Sequence, residues 1–239
     1  MPPVELTSAA ARELLACGQL EVLGRMPWAS NATLLVSVAG GGVNLPAIYK
    51  PRRGERPLWD FDAGTLCARE VATFELSEIL GWELVPETVL RDGPLGPGAV
   101  QRFVDHDPDE HYFTLRDEHP DRFRRFAVFD VLANNADRKA GHCLRRRDDG
   151  VIVGIDHGLT FHAAWKLRTV IWDFAGEAIP AALADDVARL VADGLPPRLE
   201  SLLSAPERVA VVRRAETLLD ARVLPTPDDG YHSVPWPLV

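Results

Sequence analysis

Apolar positions recur along this chain at two spacings, and the change from one to the other falls near Asp105. Before that point the runs are short and strand-like. Leu34 to Val38 and Pro46 to Lys50 flank Gly40-Gly41-Gly42 and read as an antiparallel hairpin, the glycines needing no role beyond the turn. Val85 to Leu90 and Ala99 to Val104 read as two further strands, joined by the Gly/Pro-rich run Asp92 to Gly98. One helix interrupts them, from near Thr65 to Leu80, with Gly81 placed to end it. Ahead of the sheet, Thr7 or Ser8 can cap a packing helix that Gly18 stops.

Beyond Asp105 the spacing turns helical. Phe123, Phe126 and Val131 mark a helix whose Arg122, Arg124 and Arg125 can be no more than a solvated face. Asp148-Asp149-Gly150 is the turn of a second hairpin between Cys143-Leu144 and Val151 to Ile155. Leu183, Val187, Leu190 and Val191 give an amphipathic helix, Leu199 to Leu203 a shorter one, and Ser204 to Glu207 a capping box for a helix to about Arg222. The Pro-rich run Leu224 to Val239, with Trp236 and Leu238, is either docked or disordered. The pattern is α+β: a helical extension over 1–27, a sheet-bearing unit over 28–104, a mostly helical unit over 105–222 and a tail over 223–239.

Composition narrows the partners. At 239 residues there is ample core for one large domain or two lobes sharing a cleft. A net charge of −9 speaks against general nucleic-acid binding and adsorption to anionic membranes. Cys17, Cys67 and Cys143 have neither disulfide nor zinc spacing, and no apolar run approaches the ~18 residues of a spanning helix. With no signal peptide pattern either, a reducing cytoplasm is expected. Lys50, Lys139 and Lys166 are the chain's lysines, which singles each of them out.

The candidate chemistry clusters around the second hairpin. Asp137 and His142 precede it and Asp156 closes it, an arrangement suited to phosphoryl transfer, where one carboxylate orients the attacking hydroxyl and a second holds the metal on the nucleotide phosphates. Two carboxylates brought to ~4 Å repel by roughly 4 kcal/mol at an effective dielectric of 20, so such a site calls for a cation. Lys50 ends a strand and Glu70 lies early on the next helix. Such a pair can hold a lysine against phosphates, whereas an arbitrary helix glutamate is a solvated charge. Ser30, Asn31, Ala32 and Thr33 precede a hairpin that can lay their free backbone N–H groups over phosphate oxygens. Gln101, Phe103 and Val104 form a connector where adenine can meet backbone groups. Arg138 and Lys139 beside Asp137, and the Arg145-Arg146-Arg147 run, can attract a phosphate or an acidic substrate, although the triplet reads equally well as a solvated turn.

In their order, these residues resemble compact kinases of the phosphatidylinositol 3-/4-kinase-like superfamily, closest in style to type II phosphatidylinositol 4-kinases and more distantly to HipA-like kinases. More narrowly they resemble an actinobacterial family related to phosphatidylinositol kinases. The resemblance spans about Trp28 to Phe174 and rests on Ser30 to Thr33, Ile48-Tyr49-Lys50-Pro51, Phe129 to Leu144 and Ile155-Asp156-His157-Gly158. It implies a two-lobed protein-kinase-like fold with a small antiparallel-sheet N-lobe carrying one main helix, a mostly helical C-lobe, and ATP in the cleft. Lys50 would contact the α/β-phosphates, Glu70 would pair with it, Asp137 would act as base and Asp156 would ligate Mg²⁺. The family pattern places Asn where this chain has His142, which brings Mn²⁺ into play beside Mg²⁺.

Three functions stay open on the sequence. The first is an ATP-dependent phosphotransferase whose acceptor is a hydroxyl of a lipid, protein or small molecule. The second, favoured by His142, is a nucleotide-binding pseudokinase or scaffold. The third is a metal-dependent hydrolase built from His142, Asp156, His157 and His162, which would leave Lys50 and Glu70 without a purpose.

Overall fold

The structure, a computed structural model, describes residues 6–27, 31–228 and 232–239. Helix α1 (Ser8–Cys17) is capped by the Thr7 hydroxyl, which accepts from the Ala10 N–H, and ends at Gly18. A Cβ on Gly18 would strike the Leu14 carbonyl and Val38, so the close approach of helix and sheet requires glycine there.

Five antiparallel strands follow: β1 (Gln19–Arg25), β2 (Leu34–Gly40), β3 (Val43–Pro51), β4 (Thr88–Gly93) and β5 (Gly96–Arg102), in the spatial order β1-β2-β3-β5-β4. The helical extension expected over 1–27 therefore also contains a sheet strand. Its mostly exposed side chains give it none of the alternation by which β2 is recognised, and main-chain pairing with β2 holds it in place. The last hairpin also differs from expectation, because the strands continue through the Gly/Pro-rich run to a tight turn at Pro94-Leu95. Gly98 belongs inside β5, since a Cβ there would meet the Lys50 carbonyl at 2.5 Å.

Alternation along β3 sorts its side chains. Leu45, Ala47 and Tyr49 join Val36, Val38, Val100 and the Ala11 and Leu15 face of α1 in one apolar layer. Lys50 is on the opposite face. Helix α2 (Leu66–Leu80) packs against β4 and β5 and stops at Gly81, which is left-handed at φ 66°. Its first amides are satisfied from a distance: Glu55 accepts from the Leu66 and Cys67 N–H groups.

The remainder is mostly helical, with α3 (Tyr112–Leu115), α4 (Pro120–Ala133), α5 (Ala181–Asp193), α6 (Pro197–Glu200) and α7 (Ala205–Ala221) around the largest apolar core, and with the hairpin β6 (Cys143–Arg145) and β7 (Ile152–Gly154) on the side of the sheet. A small antiparallel sheet thus sits against a mostly helical part, the two-lobed arrangement expected from the resemblance. Helix α4 ends at Asn134, left-handed at φ 49°, whose amide donates to the His162 and Ala164 carbonyls and accepts from the Lys166 N–H. One side chain thus fixes the segment after Asp156 to the end of the central helix. The run 232–239 is docked, with the Ser233 carbonyl held by the Thr169 N–H. Among the described residues no helix is long and apolar enough to cross a membrane.

Candidate active site

A cleft of about 790 Å³ between sheet and helices is lined by Lys50, Glu70, Asp137, His142 and Asp156, and by Asn31, Ala32 and Thr33 from the β1–β2 connection. The Lys50 Nζ stands 2.5 Å from Glu70 Oε1 and 2.9 Å from Asp156 Oδ1. The second oxygen of Glu70 accepts from the His157 backbone N–H at 3.0 Å. Glu70 is 3% exposed, unlike the solvated charge that an arbitrary helix glutamate would be. A turn of α2 and the sheet enclose it, and both of its oxygens have donors.

Electrostatics follow from this placement. Burial pushes the Lys50 ammonium down, but Asp156 and Glu70 outweigh that and hold it above its ordinary value. Lys50 in turn holds Asp156 well below the usual carboxylate range. Asp156 is left-handed at φ 59° and half-exposed to the cleft, which leaves its other oxygen open, 3.5 Å from His142 Nε2.

Asp137 is presented by a loop with a buried foundation. Its N–H donates to Asn135 Oδ1, and the Asn135 amide donates to Asp130 Oδ1. Arg138 grips the same Asp130 at 3.0 Å and 2.9 Å, and both side chains are fully buried. The expectation that Arg138 attracts an acidic substrate is thereby corrected, because its charge is neutralised inside the fold. Arg138 also meets His157 Nε2 at 2.8 Å, and since a guanidinium only donates, that imidazole nitrogen is the acceptor and the ring is neutral. Burial and the Arg138 charge push His157 well below its ordinary value, in agreement.

Burial raises Asp137 to about 6, against the pull of Lys139, whose Nζ is 3.5 Å from Oδ2. Burial lowers His142 to about 4, so it is neutral near pH 7. Its Nδ1 accepts from the Lys139 N–H at 3.4 Å, which leaves the ring proton on Nε2, facing Asp156.

Other predicted site residues fare differently. Ser30 lies outside the described residues. The Ala32 N–H, expected to be free for phosphate, donates to the Gly54 carbonyl, and Asn31 Oδ1 accepts from the Arg56 N–H, so this loop is latched to the 52–56 segment. Gln101 is buried in β5 with its amide on Thr88, and the Phe103 N–H donates to the Pro46 carbonyl. Phe103 and Val104 line a separate recess of about 410 Å³ with the β2–β3 turn, apart from the Lys50 cleft. The side-chain bond of Gln101 to Thr88 and the main-chain bond of Phe103 to Pro46 account for the difference.

The arginine triplet is paired with carboxylates, Arg145 with Glu110, Arg146 with Asp149 and Arg147 with Asp105. The hydrolase cluster does not assemble: His157 belongs to Arg138, and the His162 ring packs edge-on to Phe61 at 5.3 Å. Among the described residues no three His, Cys, Asp or Glu side chains converge as a metal cage. His142 and Asp156 can supply two donors, which fits an ion shared with phosphate oxygens.

Sequence reasoning missed the Asp130–Arg138–His157 foundation and Glu55. It also missed Arg69, buried against the Thr160 carbonyl and Glu207, and the entry of Pro237 and Val239 into the cleft. Of these, Arg138, next to Asp137, and His157, in the Ile155-Asp156-His157-Gly158 motif, carried a sequence signal.

Comparison with known proteins bears on the family and the fold. The family model described as phosphatidylinositol 3- and 4-kinase matches residues 89–202. Protein Rv2133c of Mycobacterium tuberculosis is 44% identical over 94% of this chain and 94% of its own length. The fold is similar to that of the Helicobacter pylori proinflammatory kinase CtkA, at a TM-score of 0.53 and 12% identity over 88% of this chain and 94% of that one. It is also similar to a Golgi casein kinase solved with Mn/ADP bound, at a TM-score of 0.51 and 13% identity over 95% of this chain and 78% of that one.

Proposed function

The chain belongs to the family of the mycobacterial Protein Rv2133c, and on that premise we propose that it is an ATP-dependent phosphotransferase of the phosphatidylinositol 3-/4-kinase-like superfamily. The observation that carries the reading is the Lys50 ammonium held between Glu70 and Asp156 in the cleft that Asp137 also lines. A lysine fixed by two carboxylates from different elements is placed to meet phosphate oxygens without searching for them.

In this reading Lys50 binds the α/β-phosphates and Glu70 keeps it extended. Asp137 accepts a hydrogen bond from the acceptor hydroxyl. As the hydroxyl oxygen bonds to the γ-phosphorus, the bond from that phosphorus to the leaving ADP oxygen breaks, and the hydroxyl proton passes to Asp137 Oδ. A carboxylate near 6 suits that transfer at neutral pH. Asp156 and His142 would hold Mg²⁺ or Mn²⁺, whose contribution is to neutralise phosphate charge. The acceptor is a hydroxyl on a lipid, protein or small molecule.

One observation favours a second reading, a nucleotide-binding scaffold with little transfer. The His142 Nε2 proton faces Asp156, so ligation through that nitrogen requires the proton to leave. The two readings part on turnover. Mn/ADP and Mg/ADP titrations by calorimetry, followed by ATP consumption over hours, test both; absence of nucleotide binding in either metal would sink the kinase reading.

A further inference from the structure

The segment 232–239 is built in two parts. Ser233 anchors it, its carbonyl accepting from the Thr169 N–H at 3.1 Å and from the Trp172 indole N–H at 2.9 Å, and Pro235 is buried beside it. Beyond Pro235 every residue is exposed, Trp236 at 87% and Val239 at 58%. This outer part rests on the loop after Asp137: the Leu238 carbonyl accepts from the Ala140 N–H at 2.7 Å, and Val239 lies 3.7 Å from where a Cβ on Gly141 would stand. Pro237 and Val239 consequently line the same cleft as Asp137, Lys139 and His142.

We propose that residues 236–239 form a strap over the acceptor side of the cleft, so that an acceptor hydroxyl reaches Asp137 when the strap lifts from Ala140. The inference rests on the phosphotransferase reading above. Position and attachment both support it. The strap touches Ala140 and Gly141, directly after the residues that present Asp137. Lifting it breaks the Ala140–Leu238 hydrogen bond and uncovers only parts of Leu238 and Val239, since Trp236 already faces solvent, while the Ser233 anchor stays in place. An anchored stem whose outer part is lightly held is a low-stability element able to open on its own. If the strap is open about one-tenth of the time, the apparent acceptor affinity falls about tenfold, and removing it restores that factor.

The test compares the full chain with a variant lacking residues 236–239, which keeps the anchor. Three quantities are read: hydrogen exchange at the Ala140 amide, Mn/ADP affinity by calorimetry, and ADP release from Mn/ATP with molar glycerol as the hydroxyl probe. Faster exchange at Ala140, unchanged Mn/ADP affinity and about tenfold faster ADP release are expected. Equal exchange at Ala140, or unchanged or slower ADP release by a variant that still binds Mn/ADP, overturns the strap and leaves the phosphotransferase reading standing. Failure of both chains to bind Mn/ADP overturns the reading and the strap together. A Gly141→Cys/Val239→Cys pair guards against misfolding of the shortened chain: oxidation should slow ADP release and reduction restore it, and a rate indifferent to oxidation counts against the strap.

Discussion

Lys50 Nζ and Glu70 Oε1, from a strand and a helix twenty residues apart, stand 2.5 Å from one another, and the other oxygen of Glu70 holds the His157 N–H. One buried carboxylate therefore fixes both the lysine and the turn that follows Asp156. Helix α2 cannot shift without moving both.

Lys50→Met removes the cation and leaves Glu70 and Asp156 facing each other. Loss of a charge-assisted hydrogen bond to phosphate, at about 1.5–3 kcal/mol, corresponds to about 10- to 150-fold weaker Mn/ADP binding or slower turnover. Calorimetry and steady-state rates check this. Wild-type values in both would remove Lys50 from the site.

Asp137→Asn should lower transfer by about 10²–10⁴ while nucleotide affinity stays near wild type. In the wild type, kcat should fall about tenfold per pH unit below about 6, because burial raises this carboxyl to about 6 and only its ionised form accepts the proton. Stability runs the other way. With the folded value raised above the ordinary 3.8, the folded chain binds the proton more tightly, and this stabilising contribution is lost as pH rises through 6. A pH–rate profile flat from 5 to 8 would contradict the assignment.

Arg138→Met leaves Asp130 charged and buried without its partner. Breaking such a pair costs about 3–5 kcal/mol, to be read as a lower urea midpoint, and the loss should be smaller when Asp130→Asn accompanies it. Equal losses in the single and double variants would mean the pair is not coupled.

His142→Asn restores the residue type of the resembled pattern. Activity with Mg²⁺ should be kept or improved, and preference for Mn²⁺ should decline. Rates in the two metals are the measurement. A folded variant inactive in both would point to a role special to the imidazole.

The chain's periodicities determined the sheet-then-helices order, because alternation and 3.6-residue spacing are local consequences of burying one face. They also placed α2 to within one residue, since Gly81 must be left-handed where the helix ends. The succession of Lys50, Glu70, Asp137 and Asp156 was legible through the resemblance, and the structure has Lys50 on β3, Glu70 within α2 and the two aspartates in loops. Strand β1 was not legible, because main-chain pairing leaves no side-chain pattern on a mostly exposed strand. Neither was the fate of the charges. Arg138 and Lys139 are neighbours of the same sign, yet burial gives one to Asp130 and leaves the other beside Asp137. Tertiary structure alone decided that, and likewise turned the Gln101 amide toward Thr88 and laid Val239 beside Gly141, since which partners meet depends on contacts far apart in sequence that no local pattern encodes.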